Sequence, residues 1–200
     1  SKIEHEIALT NTNHYLYGLF SDLWKQSGGE LLGYIIDHKK TDESKAPLLV
    51  HTSPPLNDII RYTNKQSNNF MSRQIFLTLG NYQSDQMATL ELSRVRIKTM
   101  LEKYGIDFQG QFIDNGSGLS RQTVIRGETL VQFLKKIYEH PLRAEFISSL
   151  PITGIDGTMK KRFRQFPVKQ RAHLKTGTLD GVTGMAGYVK GLSGKDYIVV

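Results

Sequence analysis

Lys175-Thr176-Gly177-Thr178 lies between two apolar runs, Ala172-His173-Leu174 before it and residues 182–189 after it, whose alternation predicts two neighbouring strands. Lys175 brings a compact ammonium, Thr176 and Thr178 bring hydroxyl donors, and Gly177 removes the side chain that would keep a ligand off the strand edge. An edge strand ending in these residues suits an anionic group, a carboxylate above all. A plain turn between two strands uses the same residue types, so the triplet needs a second signal.

That signal lies 108 residues upstream, at Ser67-Asn68-Asn69. Leu56, Ile59, Ile60 and Thr63 recur at helical spacing after Pro54-Pro55, which predicts a helix over 56–65. Apolar positions resume at Phe70, Met71, Ile75, Phe76 and Leu79, so Ser67 to Asn69 fall in a short turn between two helices. A cap of the second helix by Ser67 or Asn69 is the ordinary use of such residues there.

S-x-N followed at long range by K-T-G resembles the penicillin-binding proteins and serine β-lactamases, whose pattern is S-x-x-K, S-D-N and K-T-G. Further strings agree: Ser53-Pro54-Pro55-Leu56, Asn64-Lys65-Gln66, Asp114-Asn115-Gly116-Ser117-Gly118-Leu119-Ser120-Arg121, Leu150-Pro151-Ile152-Thr153-Gly154-Ile155-Asp156-Gly157-Thr158 and residues 173–188. From about Leu31 onward the chain is similar to the class C low-molecular-mass group, the D-alanyl-D-alanine carboxypeptidases and endopeptidases of bacterial peptidoglycan. The resemblance implies an α+β fold of serine β-lactamase/transpeptidase type, a periplasmic setting, no metal and no organic cofactor. It implies peptidoglycan stem peptides as substrate and β-lactam antibiotics as inhibitors of the full-length enzyme.

The resemblance also implies roles. Ser67 relays a proton to the leaving D-alanine amine, and Asn69 holds the substrate backbone and the site's lysines. Lys175 keeps the cleft positive, Thr176 and Thr178 bind the terminal carboxylate beside Gly177, and the Thr178 N–H is one oxyanion-hole donor. None of the serines has Lys three residues on, and the one T-x-x-K, Thr158 to Lys161, falls in a loop string and is read as coincidence. The resemblance therefore puts the nucleophile outside the chain. Residues 1–200 are then the carboxy-terminal portion of a D,D-peptidase domain, incomplete at both ends, with 1–12 a tail of an upstream element, and the chain alone turns over no peptide. A β-lactamase or esterase of the same fold, and a non-catalytic module that holds peptidoglycan peptides, are the alternatives.

Two hundred residues suffice for one domain with a substantial core or two small ones. Lys plus Arg number 26 against 19 Asp plus Glu, a net +7 and a pI near 9.5, which suits an anionic partner without choosing one. The basic residues are scattered except at 160–164 and 169–171, which read as a solvated face, and no nucleic-acid motif accompanies them. The absence of cysteine excludes disulfides, thiol nucleophiles and cysteine-bound metals; the six histidines show no metal spacing. No apolar run reaches the roughly 18 residues of a membrane span, and no signal peptide opens the chain. It starts at Ser1 without an initiator Met, which reads as a processed boundary.

Elsewhere the pattern predicts a helix over 13–26 with its aromatics in the core, a buried strand over 31–36, a loop over 39–45 and a strand over 48–50. A turn follows at 80–85, then a helix over 87–104. The glycine- and hydroxyl-rich loop 114–121 is either a border of the cleft or a structural turn. Helices over 129–138 and 144–150 and strands at 173–175, 182–190 and 196–200 complete the chain. Helices in the middle with strands towards both ends predict an α+β layering on one antiparallel sheet.

Overall fold

The K-T-G string lies wholly inside a strand. β1 (Ala172–Leu179) runs antiparallel to β2 (Val182–Lys190), with Lys175 opposite Ala186 and Gly177 opposite Gly184. The turn falls at Asp180-Gly181, where Gly181 takes φ +69°, a left-handed value that glycine adopts without steric cost. β3 (Asp196–Val199) pairs with the far side of β2, giving one antiparallel sheet of order β1-β2-β3.

This computed structural model describes residues 11–34, 44, 46–47, 49–84 and 87–200. They divide into two compact units, Ser1–Thr52 and Ser53–Val200. In the first, α1 (Thr12–Gln26) starts at Asn11, whose side chain accepts from the His14 N–H, and ends before Gly28 at φ +83°. Tyr17 and Trp24 donate to the carbonyls of Gly33 and Glu30 and tie down the chain after the helix.

Two expectations fail in this unit. Leu31 to Tyr34 and Leu49-Val50 form no strand, and Leu32, Tyr34 and Leu49 are more than 80% exposed; Ile35, Ile36 and Leu48, like most of the 39–45 loop and residues 1–10, lie outside the described residues. An apolar run becomes a strand only where another strand pairs with it, and among the described residues none does. The aromatic stripe of α1 is not core either: Tyr15, Leu16, Phe20 and Leu23 are more than half exposed. Periodicity fixes which side of a helix is apolar, whereas burial needs a second layer.

The second unit carries α2 (Leu56–Gln66), α3 (Asn69–Asn81), α4 (Leu90–Lys103), α5 (Gly127–Tyr138), α6 (Arg143–Ser149) and the sheet. Asn68, rather than Ser67 or Asn69, caps α3 by accepting from Met71 N–H at 3.0 Å. α3 runs through Gly80 to Asn81, in place of the predicted turn, and α4 packs so closely there that a Cβ on Gly80 would lie 2.8 Å from the Ser93 nitrogen. Thr89 accepts from Leu92 N–H, so α4 opens at Leu90 instead of Met87.

Three apolar clusters hold the unit together. Leu134, Leu150 and Tyr188 join α5 and α6 to β2, with Phe133 and Phe146 edge to face beside them. Met159, Ala172 and Leu174 seat the inner face of β1, and Leu101, Ile106 and Phe108 close the end of α4. Fully burying a side chain of this size is worth about 1.5–3 kcal/mol. Gly187 lets β1 lie flat on β2, since a Cβ there would come within 3.1 Å of the His173 carbonyl carbon. No helix among the described residues is long and apolar enough to cross a membrane.

Candidate active site

α2 ends in a left-handed residue that is not glycine. Ser67 takes φ 52° and ψ 47°, a conformation that costs an L-residue roughly 1–2 kcal/mol. The turn is held because Asn68 N–H donates to Thr63 O at 3.0 Å while the Asn68 side chain caps the next helix. With the Asn68 side chain so employed, neither the Ser67 hydroxyl nor the Asn69 amide is needed to cap α3. Ser67 lines a cavity, and Asn69 Nδ2 donates to Ser117 O at 2.7 Å.

Lys175 on β1 faces that turn. Its ammonium donates to Ser67 Oγ and, at 2.8 Å, to Thr176 O. The side chain is half buried, and burial pulls the ammonium below its ordinary pKa, since desolvation penalises the charged form. A cation with a lowered pKa, resting on a hydroxyl, is the arrangement that passes a proton through that hydroxyl.

The cavity, about 910 Å³, joins the expected residues in one place: Ser67 and Asn69 from the helix turn, Lys175, Thr176, Gly177 and Thr178 from β1. A Cβ on Gly177 would meet nothing within 4 Å, so packing does not require glycine there; its absence leaves open space above the strand. Glycines 116 and 118, with Ser117 and Leu119, form the opposite lip. The loop 114–121 therefore borders the cleft and is a hydrogen-bonded turn as well. Ser72 Oγ donates to Gly116 O at 2.7 Å, and Asn115 Oδ1 accepts from Ser117 N–H and Oγ. Arg94 grips Asp114 at 2.9 Å, and Gly116, at φ +71°, packs where a Cβ would strike the Phe76 ring. Arg121 donates to Asp180 O and so ties this lip to the hairpin turn.

A second set of contacts fixes α2 against the base of β1. Lys65 Nζ lies 2.6 Å from Asp156 Oδ2 and donates to Leu150 O at 2.8 Å, while Asp156 Oδ1 accepts from Ile152 N–H at 2.8 Å. Asn64 Nδ2 donates to Ser149 Oγ at 2.8 Å. His173, two residues before Lys175, places Nδ1 3.0 Å from Ile147 O, and burial holds its imidazole below the usual range.

Sequence reasoning misses several residues of the cavity, Thr158, Arg162 and Ser72 among them. Thr158, dismissed with the T-x-x-K string, sets its hydroxyl 3.0 Å from that of Thr176 and so fixes a cavity-lining side chain of β1. Arg162, read as part of a solvated face, also lines the cavity, as does Ser72. The long-range agreement of the 150–158 string was the one signal for Thr158.

Comparison with known proteins gives a consistent result. The sequence profile of the D-Ala-D-Ala carboxypeptidase 3 (S13) family matches residues 1–200. The chain is 28% identical over 190 residues to the D-alanyl-D-alanine carboxypeptidase DacB of Haemophilus influenzae, covering 94% of this chain and 40% of that protein. It is 30% identical over 150 residues to the D-alanyl-D-alanine carboxypeptidase of Actinomadura sp. strain R39, covering 72% of this chain and 28% of that protein. In structure it resembles penicillin binding protein 4 from H. influenzae, crystallised with a novel β-lactam, with a TM-score of 0.81 at 27% identity, over 96% of this chain and 45% of the other. The chain thus spans less than half the length of these relatives.

Proposed function

The chain belongs to the D-Ala-D-Ala carboxypeptidase 3 (S13) family, and from that premise we propose that its cavity is the carboxy-terminal half of a serine-type D-alanyl-D-alanine carboxypeptidase and endopeptidase site. The substrate is a peptidoglycan stem peptide, the setting the periplasm, and β-lactams occupy the same cavity as inhibitors. The attacking serine and its lysine come from polypeptide beyond these 200 residues, none of whose serines is followed by Lys at the third place.

One observation carries this reading: the Lys175 ammonium rests on Ser67 Oγ across a cleft whose floor is the open edge at Gly177. The terminal carboxylate of the peptide lies against Lys175 and the hydroxyls of Thr176 and Thr178, which supply one full charge and two donors. As the acyl-enzyme forms, the D-alanine nitrogen leaves as an amine and needs a proton, which Ser67 Oγ gives and Lys175 replaces. The Thr178 N–H is one donor to the oxyanion, a contribution typically worth about 2.7–4 kcal/mol in the transition state. Asn69, held by Ser117 O, keeps the turn and the 114–121 lip in register with the peptide. Release of D-alanine from a pentapeptide by the full-length protein, lost in Ser67→Ala, tests the reading. Fast penicilloate release in its place would assign a β-lactamase, and peptide binding without D-alanine release a non-catalytic module.

A further inference from the structure

Between Met159 and β1 the chain carries Lys160, Lys161, Arg162, Arg164, Lys169 and Arg171 and no carboxylate. The segment is a succession of tight turns anchored from within. Phe163 and Val168 pack on the cluster of Met159, Ala172 and Leu174, Thr153 Oγ1 donates to Val168 O at 2.6 Å, and Gln170 N–H donates to Thr153 O at 2.9 Å. Phe163 and Gln170 are held at positive φ, 58° and 63°. With Phe163 and Val168 turned in, five of the cations are exposed and Arg171 is partly so. Two guanidinium groups are fixed by backbone carbonyls, Arg164 on Lys160 O at 2.9 Å and Arg171 on Lys190 O at 3.1 Å, contacts that set position without cancelling charge. Among the described residues no Asp or Glu pairs with any of the six, and the nearby Asp156 is committed to Lys65.

Six like charges on one short segment repel one another, which water and salt screen in part and a polyanion lying along them relieves further. Arg162 lines the cavity with Lys175, so the positive track begins inside the cleft and runs outward over the turns. We propose that residues 160–171 are a docking track for the glycan strand that carries the substrate, recognised through the free carboxylates its stem peptides repeat along the polymer. The inference rests on the carboxypeptidase reading and adds the form of the substrate: a polyanionic strand, with the scissile peptide led to the cavity past Arg162. Membrane insertion would need an apolar face, and the turns expose one ring, Phe166; attachment to anionic lipid by charge alone is the competing outcome of the test. A single ring also gives no ladder for stacked nucleic-acid bases.

The test measures binding of soluble, uncrosslinked peptidoglycan strands to the full-length protein at about 0.15 M salt, where exposed charges are felt over about 8 Å. The variant K160Q/K161Q/K169Q removes three exposed charges that do not line the cavity and is expected to weaken strand binding about tenfold, with penicillin acylation and D-alanine release from a soluble pentapeptide unchanged. Strands whose carboxylates are amidated should bind the wild type about tenfold more weakly by the same argument. Equal binding by wild type and variant, equal binding of amidated strands, or anionic phospholipid vesicles held as tightly through the same lysines would each overturn the track. Failure of the wild type to release D-alanine from the pentapeptide would sink the carboxypeptidase reading instead, and is read in a separate assay.

Discussion

Replacing Lys65 by Met tests whether the tie between α2 and the 150–158 loop holds the site in shape. The Lys65 side chain is only 13% exposed, and its ammonium makes two hydrogen bonds, one to Asp156 and one to Leu150 O. A hydrogen bond to a charged group contributes about 1.5–3 kcal/mol, and stripping one partner from a fully buried ion pair costs about 3–5 kcal/mol. Asp156 is 37% exposed and keeps its bond from Ile152 N–H, so water and backbone recover part of the loss. The expected destabilisation of Lys65→Met is therefore about 2–3 kcal/mol, at the lower end of those ranges. For a chain of this size that is roughly 4–12 °C in Tm. Urea unfolding at constant m-value is the assay. In a double-mutant cycle with Asp156→Asn, the two changes should cost less together than their sum, since each removes the same ion pair. A loss below about 0.5 kcal/mol, or strict additivity in the cycle, would refute the reasoning.

Two further outcomes are expected. Burial lowers the His173 pKa, so the unfolded chain takes up the proton first: the stabilising effect is fully present above 6.5 and is lost as pH falls from 6.5 through the lowered folded value. His173→Asn, whose amide can still donate to Ile147 O, should flatten that acid loss, and parallel stability curves of wild type and variant below pH 6.5 would argue against it. Asn69→Ala removes the donor to Ser117 O, with a cost of about 1 kcal/mol and faster amide hydrogen exchange at Leu119; unchanged exchange there would separate Asn69 from the 114–121 lip.

The hairpin is legible in the sequence because apolar residues alternate on both sides of the K-T-G string and put Ala172 and Leu174 on one face, which is buried. The helix-turn-helix at Ser67 is legible too, since apolar spacing breaks and resumes there. What the pattern does not carry is which neighbour answers it. Leu31 to Tyr34 have the composition of a strand and no partner among the described residues, and the stripe of α1 is largely exposed among the described residues. Gly80 reads as a breaker and acts as a close-packing surface for Ser93. Contacts such as Thr158 with Thr176, or Lys65 with Asp156, depend on distances that only the fold sets, and so Thr158 is invisible as a site residue until the loop is seen against β1.

The central claim is that the Lys175 ammonium and the Ser67 hydroxyl act on one bond from facing sides of a single cleft. Acylation of the full-length protein by a labelled penicillin, followed by mass spectrometry in wild type, Lys175→Met and Ser67→Ala, tests it directly. The account predicts one adduct on the wild type and acylation slowed by about 100-fold or more in both folded variants. A Lys175→Met protein that acylates at the wild-type rate would contradict it.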